Sequence, residues 1–245
     1  MTDSHDHTHD DSRFHLHLDE ILQHISQGEE DLTPEEVEVM QKPQNPDVFL
    51  IGCIDSRFQP DRVLSYGPGV ALEYRPIAAV IPPPAKAETG LQQRMAFRRL
   101  NHVKNFLIIC HSDCGGARAA INLPDPDVKT GGDTAIVAKA AHFSGLDIPK
   151  LAKDFLAASR GDVKLAGNKL AKEIGVRSLE NLLKYKGDGY PTIADEIKAG
   201  TAKAMVVYYD LEKHRFEAYD PARGNWTPMV PPPKIGKKPS RPAPS

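Results

Sequence analysis

Three side chains that commonly bind metals follow two short apolar segments of this sequence. Cys53 follows residues 48–52, and His111 and Cys114 follow residues 106–110. Cysteine and histidine are the usual ligands of zinc, which is bound tetrahedrally by sulfur and nitrogen. No fourth Cys or His lies close in sequence, and catalytic zinc sites leave one position open for water or substrate. The spacing predicts a catalytic zinc site with Cys53, His111 and Cys114 as ligands.

A carboxylate and an arginine lie shortly after the first of these cysteines. Asp55 and Arg57 can face the same side of an extended or turning segment. Arg57 is always charged and can bind a carboxylate through two donors, so it would keep Asp55 ionised and turned away from the metal. Asp55 could accept a hydrogen bond from metal-bound water, or it could itself become the fourth zinc ligand.

Each of these residues has a simpler explanation when it is taken alone. A cysteine after a strand is often a small core side chain, and Asp55 or Ser56 is also a typical helix cap. Separate explanations do not account for the whole set, because all of the residues fall at the ends of two predicted core strands. Cys110 is the exception, and we expect it to be a buried thiol and not a ligand.

The predicted elements place these side chains at one edge of a sheet. Residues 48–51 and 106–110 are continuous apolar runs, typical of strands buried on both faces, and a further strand near 71–74 and a helix over 91–103 lie between them. This order implies parallel strands with right-handed crossovers, and ligands bind beyond the carboxyl ends of such strands. We predict an α/β fold with a central, mainly parallel sheet flanked by helices.

Further patterns complete the predicted domain. Two helices are expected within residues 14–40, the second beginning at Thr33, and the antiparallel edge hairpin is expected from residues 204–209 and 215–219. Other helices are predicted at about 114–121, 133–142, 149–159, 163–185 and 195–198. The predicted inner face of the 163–185 helix consists of Leu165, Leu170, Ile174, Leu179, Leu182 and Leu183.

Composition limits the classes of protein to consider. The 31 basic and 33 acidic residues nearly cancel, so the sequence does not indicate nucleic acid or an anionic membrane as a partner. Residues 1–13, rich in His and Asp, are predicted to be a disordered arm, residues 14–225 a single domain, and residues 226–245 a Pro-rich basic tail.

The sequence also suggests a compartment. The start of the chain lacks the basic patch and apolar run of a secretory signal, and no stretch of about 18 apolar residues is present. Three cysteines do not make a disulfide framework. We therefore predict a cytoplasmic protein.

The combined motifs resemble those of the β-class carbonic anhydrases. C-x-D-x-R, beginning at Cys53, and H-x-x-C-G-G, beginning at His111, each follow an apolar strand. Weaker similarities extend the resemblance over residues 47–220; they are Tyr66-Gly67-Pro68-Gly69, Arg75 with Ile77-Ala78, and Val176–Leu182. The resemblance implies a zinc-dependent carbonate dehydratase in which zinc-bound hydroxide attacks carbon dioxide to give bicarbonate and a proton. It also implies that Asp55 and Arg57 form the catalytic pair beside the zinc and that Asp55 can be a fourth ligand in a closed state. A homodimer or tetramer is implied as well.

Some residues depart from the family pattern. Pro76 and Ala79 replace two asparagines, and no glycine separates Cys110 from His111. These changes leave the metal set intact but keep other substrates open, namely carbonyl sulfide or carbon disulfide. A non-catalytic zinc-binding relative and a metal-free redox pair of Cys53 and Cys114 also remain open. Two lone histidines, His102 and His142, are candidates for proton relay, although we expect them to be surface or packing residues.

Overall fold

The computed structural model describes residues 32–229, in a chain that divides into two units at residues 44 and 45. In the first unit, helix α1 (Pro34–Gln41) begins with a capping box. The Thr33 side chain accepts from the Glu36 N–H, and the Glu36 carboxylate accepts from the Thr33 N–H. The predicted helix start at Thr33 is confirmed, whereas the earlier helix and the His-rich arm lie outside the described residues.

A six-stranded sheet forms the middle of the second unit. Its strands are β1 (Val48–Gly52), β2 (Ala71–Tyr74), β3 (Asn105–His111), β4 (Lys203–Asp210), β5 (Arg215–Asp220) and β6 (Asn225–Pro228). They lie in the order β2-β1-β3-β4-β5-β6. Strands β2, β1, β3 and β4 are parallel, whereas β5 and β6 continue the sheet in antiparallel pairs. The predicted α/β fold with a mainly parallel sheet is confirmed.

The carboxyl-terminal strands differ from the predicted edge hairpin. Strand β4 pairs with β3 as well as β5, so it lies inside the sheet, and β6 pairs with the outer side of β5. The sequence pattern does not predict β6, because the segment after Trp226 is rich in proline. The Trp226 ring packs against Tyr208 and Tyr219, at centroid distances of 6.2 and 5.3 Å. The structure therefore places residues 226–228, expected in the tail, within the sheet.

Helices cover the sheet and connect its strands. They are α2 (Pro60–Leu64), α3 (Thr89–Leu100), α4 (Gly115–Asn122), α5 (Val128–Lys139), α6 (Ile148–Ala158), α7 (Val163–Leu182) and α8 (Ile193–Lys198). The predicted inner face of α7 is right for Leu170, Ile174, Leu179 and Leu182, which are buried. It is wrong for Leu165, which is 51% exposed, because the small residues Ala166 and Gly167 take the inward positions of that turn.

The alternation of side chains along the strands divides the core between the two faces of the sheet. Phe49 and Ile51 of β1 pack with α3 and α7, whereas Leu50 packs on the other face with Phe58. Such burial on both faces agrees with the continuous apolar runs of β1 and β3. Among residues 32–229, no helix is long and apolar enough to cross a membrane.

Candidate metal centre

The carboxyl ends of β1 and β3 bring the three predicted metal ligands together. Gly52 of β1 pairs with Ile109 of β3, so Cys53 and His111 leave neighbouring strands at the same edge. Cys114 follows three residues later as the N-cap of α4. All three side chains are buried, and their donor atoms lie within 4.8 Å of one another. The Cys53 and Cys114 Sγ atoms are 3.8 Å apart.

The environment of His111 leaves one ring nitrogen available for a metal. Its Nδ1 lies 2.8 Å from the Ser112 carbonyl oxygen, which can only accept, so Nδ1 carries the proton. Its Nε2 is buried and has no hydrogen-bond partner within residues 32–229. The Phe58 ring stacks on the imidazole, with centroids 5.9 Å apart. Since metal-binding histidines usually donate their other N–H to an oxygen, His111 has the tautomer of a ligand.

The backbone around Ala78 supports the Cys53 sulfur. The Ala78 N–H donates to Cys53 Sγ at 3.3 Å. Ala78 and Ala79 have left-handed φ values of 56° and 55°, a conformation that costs non-glycine residues about 1–3 kcal/mol each. A Cβ on Gly116 would lie 2.5 Å from the Ile77 side chain, so only glycine lets α4 approach this turn. Gly116 is therefore required for packing, whereas a Cβ on Gly115 would meet nothing within 4 Å.

The two thiols of the donor group are electrostatically unequal. The hydrogen bond with Cys114, followed by the effect of His111, lowers the pKa of Cys53 to about 4 despite burial. The same sulfur–sulfur interaction and burial raise the pKa of Cys114. A buried site that already favours one thiolate is suited to a divalent cation, because metals bind the deprotonated form of cysteine.

Asp55 and Arg57 form a pair with two hydrogen bonds beside the donor group. Arg57 donates through Nε to Asp55 Oδ1 at 3.0 Å and through Nη2 to Oδ2 at 2.7 Å. These hydrogen bonds lower the pKa of Asp55 against the opposing effect of partial burial. Asp55 Oδ2 also lies 4.0 Å from His111 Nε2. The carboxylate is thus held ionised next to the unpartnered imidazole nitrogen.

A second acidic residue, absent from the sequence-based predictions, anchors the arginine. Arg57 donates through Nη1 to Asp113 Oδ2 at 2.9 Å and through Nη2 to the Asp113 carbonyl oxygen at 2.8 Å. Arg118 donates to the other carboxylate oxygen, and the Asp113 N–H donates to Asn168 Oδ1. The position of Asp113 between His111 and Cys114 could have indicated its place at the site. No local pattern in the sequence indicates Asn168.

Arg75 fixes the loop that carries Cys53 and Asp55. Its guanidinium donates to the carbonyl oxygens of Cys53, Asp55 and Phe58, at 3.0, 3.1 and 2.6 Å. One side chain therefore holds three carbonyl oxygens of the loop after β1. The sequence motif includes Arg75, but the spacing alone does not predict this role.

A mainly apolar cavity, whose walls also include Arg75, Lys86 and Glu88, lies next to this loop. It has a volume of about 410 Å³, and its walls include Ile54, Pro76, Ile77, Val80 and Phe143. Ile54 follows Cys53 directly, and Ile77 precedes the residue that donates to its sulfur. The three donor side chains do not line the cavity, so it adjoins the metal centre without containing it.

The remaining cysteine and histidines lie outside the donor group. Cys110 is buried, its thiol donates to the Val207 carbonyl oxygen at 3.4 Å, and burial raises its pKa to about 12. The expectation of a buried, non-ligating thiol fits this environment. His102 lies near the opposite end of the sheet, in the turn before β3. His142 lies in the turn Ala140–Ser144, where burial lowers its pKa.

Comparison with known proteins identifies related sequences. A family model described as carbonic anhydrase matches residues 48–216. The chain is 30% identical over 180 residues to β carbonic anhydrase 5, chloroplastic, of Arabidopsis thaliana, which covers 72% of this chain and 55% of the relative. It is 28% identical to β carbonic anhydrase 6, mitochondrial, of the same plant, over 72% of this chain and 57% of the relative. The chain thus spans just over half the length of these relatives.

Solved structures share the fold. The β-carbonic anhydrase CcaA superposes with a TM-score of 0.70 at 20% identity, covering 86% of this chain and 98% of that one. One of two tetrameric β-carbonic anhydrases from Sordaria macrospora gives a TM-score of 0.58 at 20% identity, covering 82% and 91% of the two chains. At these identities the similarity supports the fold alone.

Two sequence-based predictions can be judged from these findings. The predicted zinc cofactor is confirmed by the family match together with the buried Cys-His-Cys group. The predicted cytoplasmic location is wrong, because the two curated relatives are named as chloroplastic and mitochondrial proteins. The lack of a secretory signal does not distinguish among the compartments inside a cell, so it was a poor basis for that prediction.

Proposed function

This chain belongs to the carbonic anhydrase family, in its β class, and on that premise we propose that it catalyses the reversible hydration of carbon dioxide to bicarbonate and a proton. The single observation that carries the proposal is the buried Cys53–His111–Cys114 group beside an arginine-bound Asp55. The family match at residues 48–216 contains all of these residues.

The proposed zinc ligands are Cys53 Sγ, His111 Nε2 and Cys114 Sγ. The fit rests on the chemistry of the donors: two sulfurs and an imidazole nitrogen, all buried, with Nδ1 of the imidazole already bound to a carbonyl oxygen. When bound, zinc supplies the Lewis acidity that turns water into a nucleophile near neutral pH. Three protein ligands leave a position for that water, as in other catalytic zinc sites.

Asp55 is proposed to orient the nucleophile. An ionised carboxylate only accepts hydrogen bonds, so Asp55 would fix the direction in which a neighbouring water or hydroxide donates its proton. Arg57 acts as a positioning residue, because it holds both carboxylate oxygens and is itself anchored by Asp113. This geometry favours Asp55 as the partner of Arg57 over its alternative role as a fourth ligand.

The apolar cavity beside the loop is the proposed route for carbon dioxide. Its walls at Ile54, Ile77, Val80 and Phe143 provide apolar surface for a small molecule without charge. Pro76 and Ala79 contribute here through the backbone, since the Pro76 carbonyl oxygen accepts from the N–H groups of Ile54 and Ala79. The two departures from the family pattern are thus accommodated, and no feature of the cavity favours carbonyl sulfide or carbon disulfide.

We further propose that the chain works as a homodimer or a larger assembly. Ile54 and Phe143, which line the cavity, are 63% and 52% exposed in the single chain. Large apolar side chains at the entrance of a cavity are typical of surfaces that a partner covers. One structural neighbour is described as tetrameric.

Zinc analysis and a hydration assay on purified protein, prepared without a histidine tag, test the proposal. We expect zinc at one per chain and hydration activity between about pH 7 and about pH 9. Cys114→Ala should lose both, whereas the matched variant Cys110→Ala should keep both, because Cys110 lies outside the donor group. Zinc-loaded protein without activity at any of these pH values would exclude the enzyme and favour a non-catalytic relative. Metal-free protein with a Cys53–Cys114 disulfide would favour the redox pair.

A further inference from the structure

A second group of charged side chains lies at the opposite end of the sheet. It surrounds a cavity of about 60 Å³. The lining residues are Arg98, Arg99, His102, Lys104, Tyr190 and Glu196. Lys104 directly precedes β3, whose last residue is His111, so the seven residues of the strand separate this cavity from the metal centre by about 20 Å. The cavity is therefore distinct from the proposed active site.

The cavity holds more positive charge than its one carboxylate can balance. Glu196 uses both oxygens, since Oε2 accepts from Arg98 Nη1 at 3.3 Å and Oε1 accepts from Lys104 Nζ at 3.2 Å. The Arg99 guanidinium lies against the Tyr190 ring and has no hydrogen-bond or ion-pair partner within the described part of the chain. Three permanent cations, Arg98, Arg99 and Lys104, therefore face one anion.

Arg98 is the buried member of this group and is incompletely satisfied. The residue is 2% exposed, and its Nε has no hydrogen-bond partner among residues 32–229. Its guanidinium lies over the Phe106 ring at 4.9 Å, and burial lowers its pKa. An unpartnered N–H of a buried cation is costly, so a negative charge close to this guanidinium would be favourable.

The packing around Arg99 holds that guanidinium at the cavity. Its Cζ lies 5.6 Å from the centre of the Tyr190 ring. A Cβ on Gly187 would lie 2.6 Å from the same Cζ, so the loop before α8 passes close to the guanidinium. A guanidinium that is positioned by packing, and not by a carboxylate, keeps its donors for another acceptor.

We propose that this cavity binds a phosphate-type oxyanion, either free phosphate or the phosphate group of an ester. Guanidinium groups match such oxygens with paired donors, and the cavity volume of about 60 Å³ exceeds the roughly 10–15 Å³ that one water needs, so it suits one compact group larger than water. The carboxyl end of α3 carries about half a negative charge, which repels an anion. This charge is smaller than the cavity's surplus of two positive charges. The proposal goes beyond carbonic anhydrase activity and does not depend on it.

Calorimetric titration of the zinc-loaded full chain with inorganic phosphate tests the site. We expect one phosphate per chain, with Arg99→Gln weakening binding by at least about tenfold, the loss expected for one charge-assisted interaction. Arg160→Gln replaces an exposed arginine outside the cavity and should change the affinity less than about twofold. Glu196→Gln, where it folds, should strengthen binding, because it removes the competing carboxylate.

The same titration distinguishes free phosphate from a phosphate ester, and binding in this cavity from binding at zinc. Tighter binding of glycerol phosphate than of phosphate would assign the site to an ester, and the reverse to the free ion; both outcomes support the proposal if Arg99→Gln weakens them. Phosphate can also bind at zinc, and such binding would persist in Arg99→Gln. Equal affinities of the wild type and Arg99→Gln, or no binding at millimolar phosphate, would overturn the proposal and leave the hydration activity untouched.

Discussion

The two ends of strand β3 carry buried polar groups that differ in whether they contain their own counterion. At the carboxyl end, Cys53, His111 and Cys114 offer lone pairs from two sulfurs and a nitrogen and require a cation. At the amino end, the Arg98–Glu196 pair is buried and already contains its own counterion. The first group is organised for a ligand, and the second group stabilises the fold while retaining a surplus of positive charge.

Burial of charged groups has different consequences for stability at the two ends of β3. Burying two thiolates costs little once a metal ion neutralises their charge, so that site gains its stability from the ion. A buried ion pair gives little net stability, but removal of one partner leaves an uncompensated charge that is strongly destabilising. Variants at the carboxyl end should therefore change mainly zinc content and activity, whereas variants at the amino end should change mainly the free energy of unfolding.

Removal of zinc should have the largest effect and should act mainly at the carboxyl end. With a chelator, we expect hydration to fall to background and the thermal unfolding midpoint to fall by several degrees, since about 1 kcal/mol corresponds to about 2–4 °C for a chain of this size. Added zinc should restore both. If the chelated protein kept its activity, the carboxyl-end group would not be the catalytic metal centre, and the contrast between the two ends would fail.

Glu196→Gln should have the next largest effect, on stability alone. It leaves Arg98 buried without a counterion, so the free energy of unfolding should fall by about 3–5 kcal/mol, measured by urea denaturation. Zinc content and the activity of the folded protein should not change. The control Glu180→Gln breaks a half-exposed ion pair with Arg177 and should cost less than about 1 kcal/mol. Similar losses in both variants would contradict the structural role assigned to the amino-end group.

The same comparison shows which parts of the molecule the sequence could predict. Cys53 and His111 lie at strand ends, where an apolar run, a short spacing and the rule for parallel sheets together locate a site. The amino-end group draws Arg98 from a helix, Lys104 from a turn and Glu196 from a helix far along the chain. No local pattern connects these residues, so only the tertiary structure reveals them.

The errors of the sequence-based predictions have the same physical origin. Leu165 fits the helical period of α7, but small residues occupy the inward positions because α4 approaches there. Strand β6 lies in a proline-rich context, and its pairing with β5 overrides the local composition. Local propensity predicts which elements form, whereas close packing and strand pairing decide which residues they bury.

Asp55→Asn should have a smaller effect, again confined to the carboxyl end. The amide keeps the size of the side chain but loses its charge and one acceptor, so we expect kcat/KM to fall by about 10- to 100-fold with zinc retained. Stopped-flow hydration at saturating and low carbon dioxide separates kcat from KM. Asp154→Asn, an exposed change on α6, is the control and should leave both unchanged. Unchanged turnover in Asp55→Asn would remove Asp55 from the mechanism.

Thr192→Ala should have the smallest effect and tests how the amino-end group is held. Thr192 and Asp195 form the capping box at the start of α8, the helix that carries Glu196. Loss of such a cap costs about 1 kcal/mol in the free energy of unfolding. Thr33→Ala removes the same kind of cap from α1, which has no buried residue, so it should not change the main unfolding transition.

The stability difference between the wild type and Thr192→Ala should depend on pH, because the cap involves the ionised Asp195 carboxylate. The hydrogen bond from Thr192 lowers the pKa of Asp195, so the contribution of the carboxylate is present above its unfolded pKa. It is lost as the pH falls through the folded pKa. Urea denaturation of the wild type and Thr192→Ala should therefore give stabilities that differ near neutral pH and converge in acid. A difference that grew in acid would mean that Thr192 stabilises α8 by other contacts, and that the position of Glu196 does not depend on this cap.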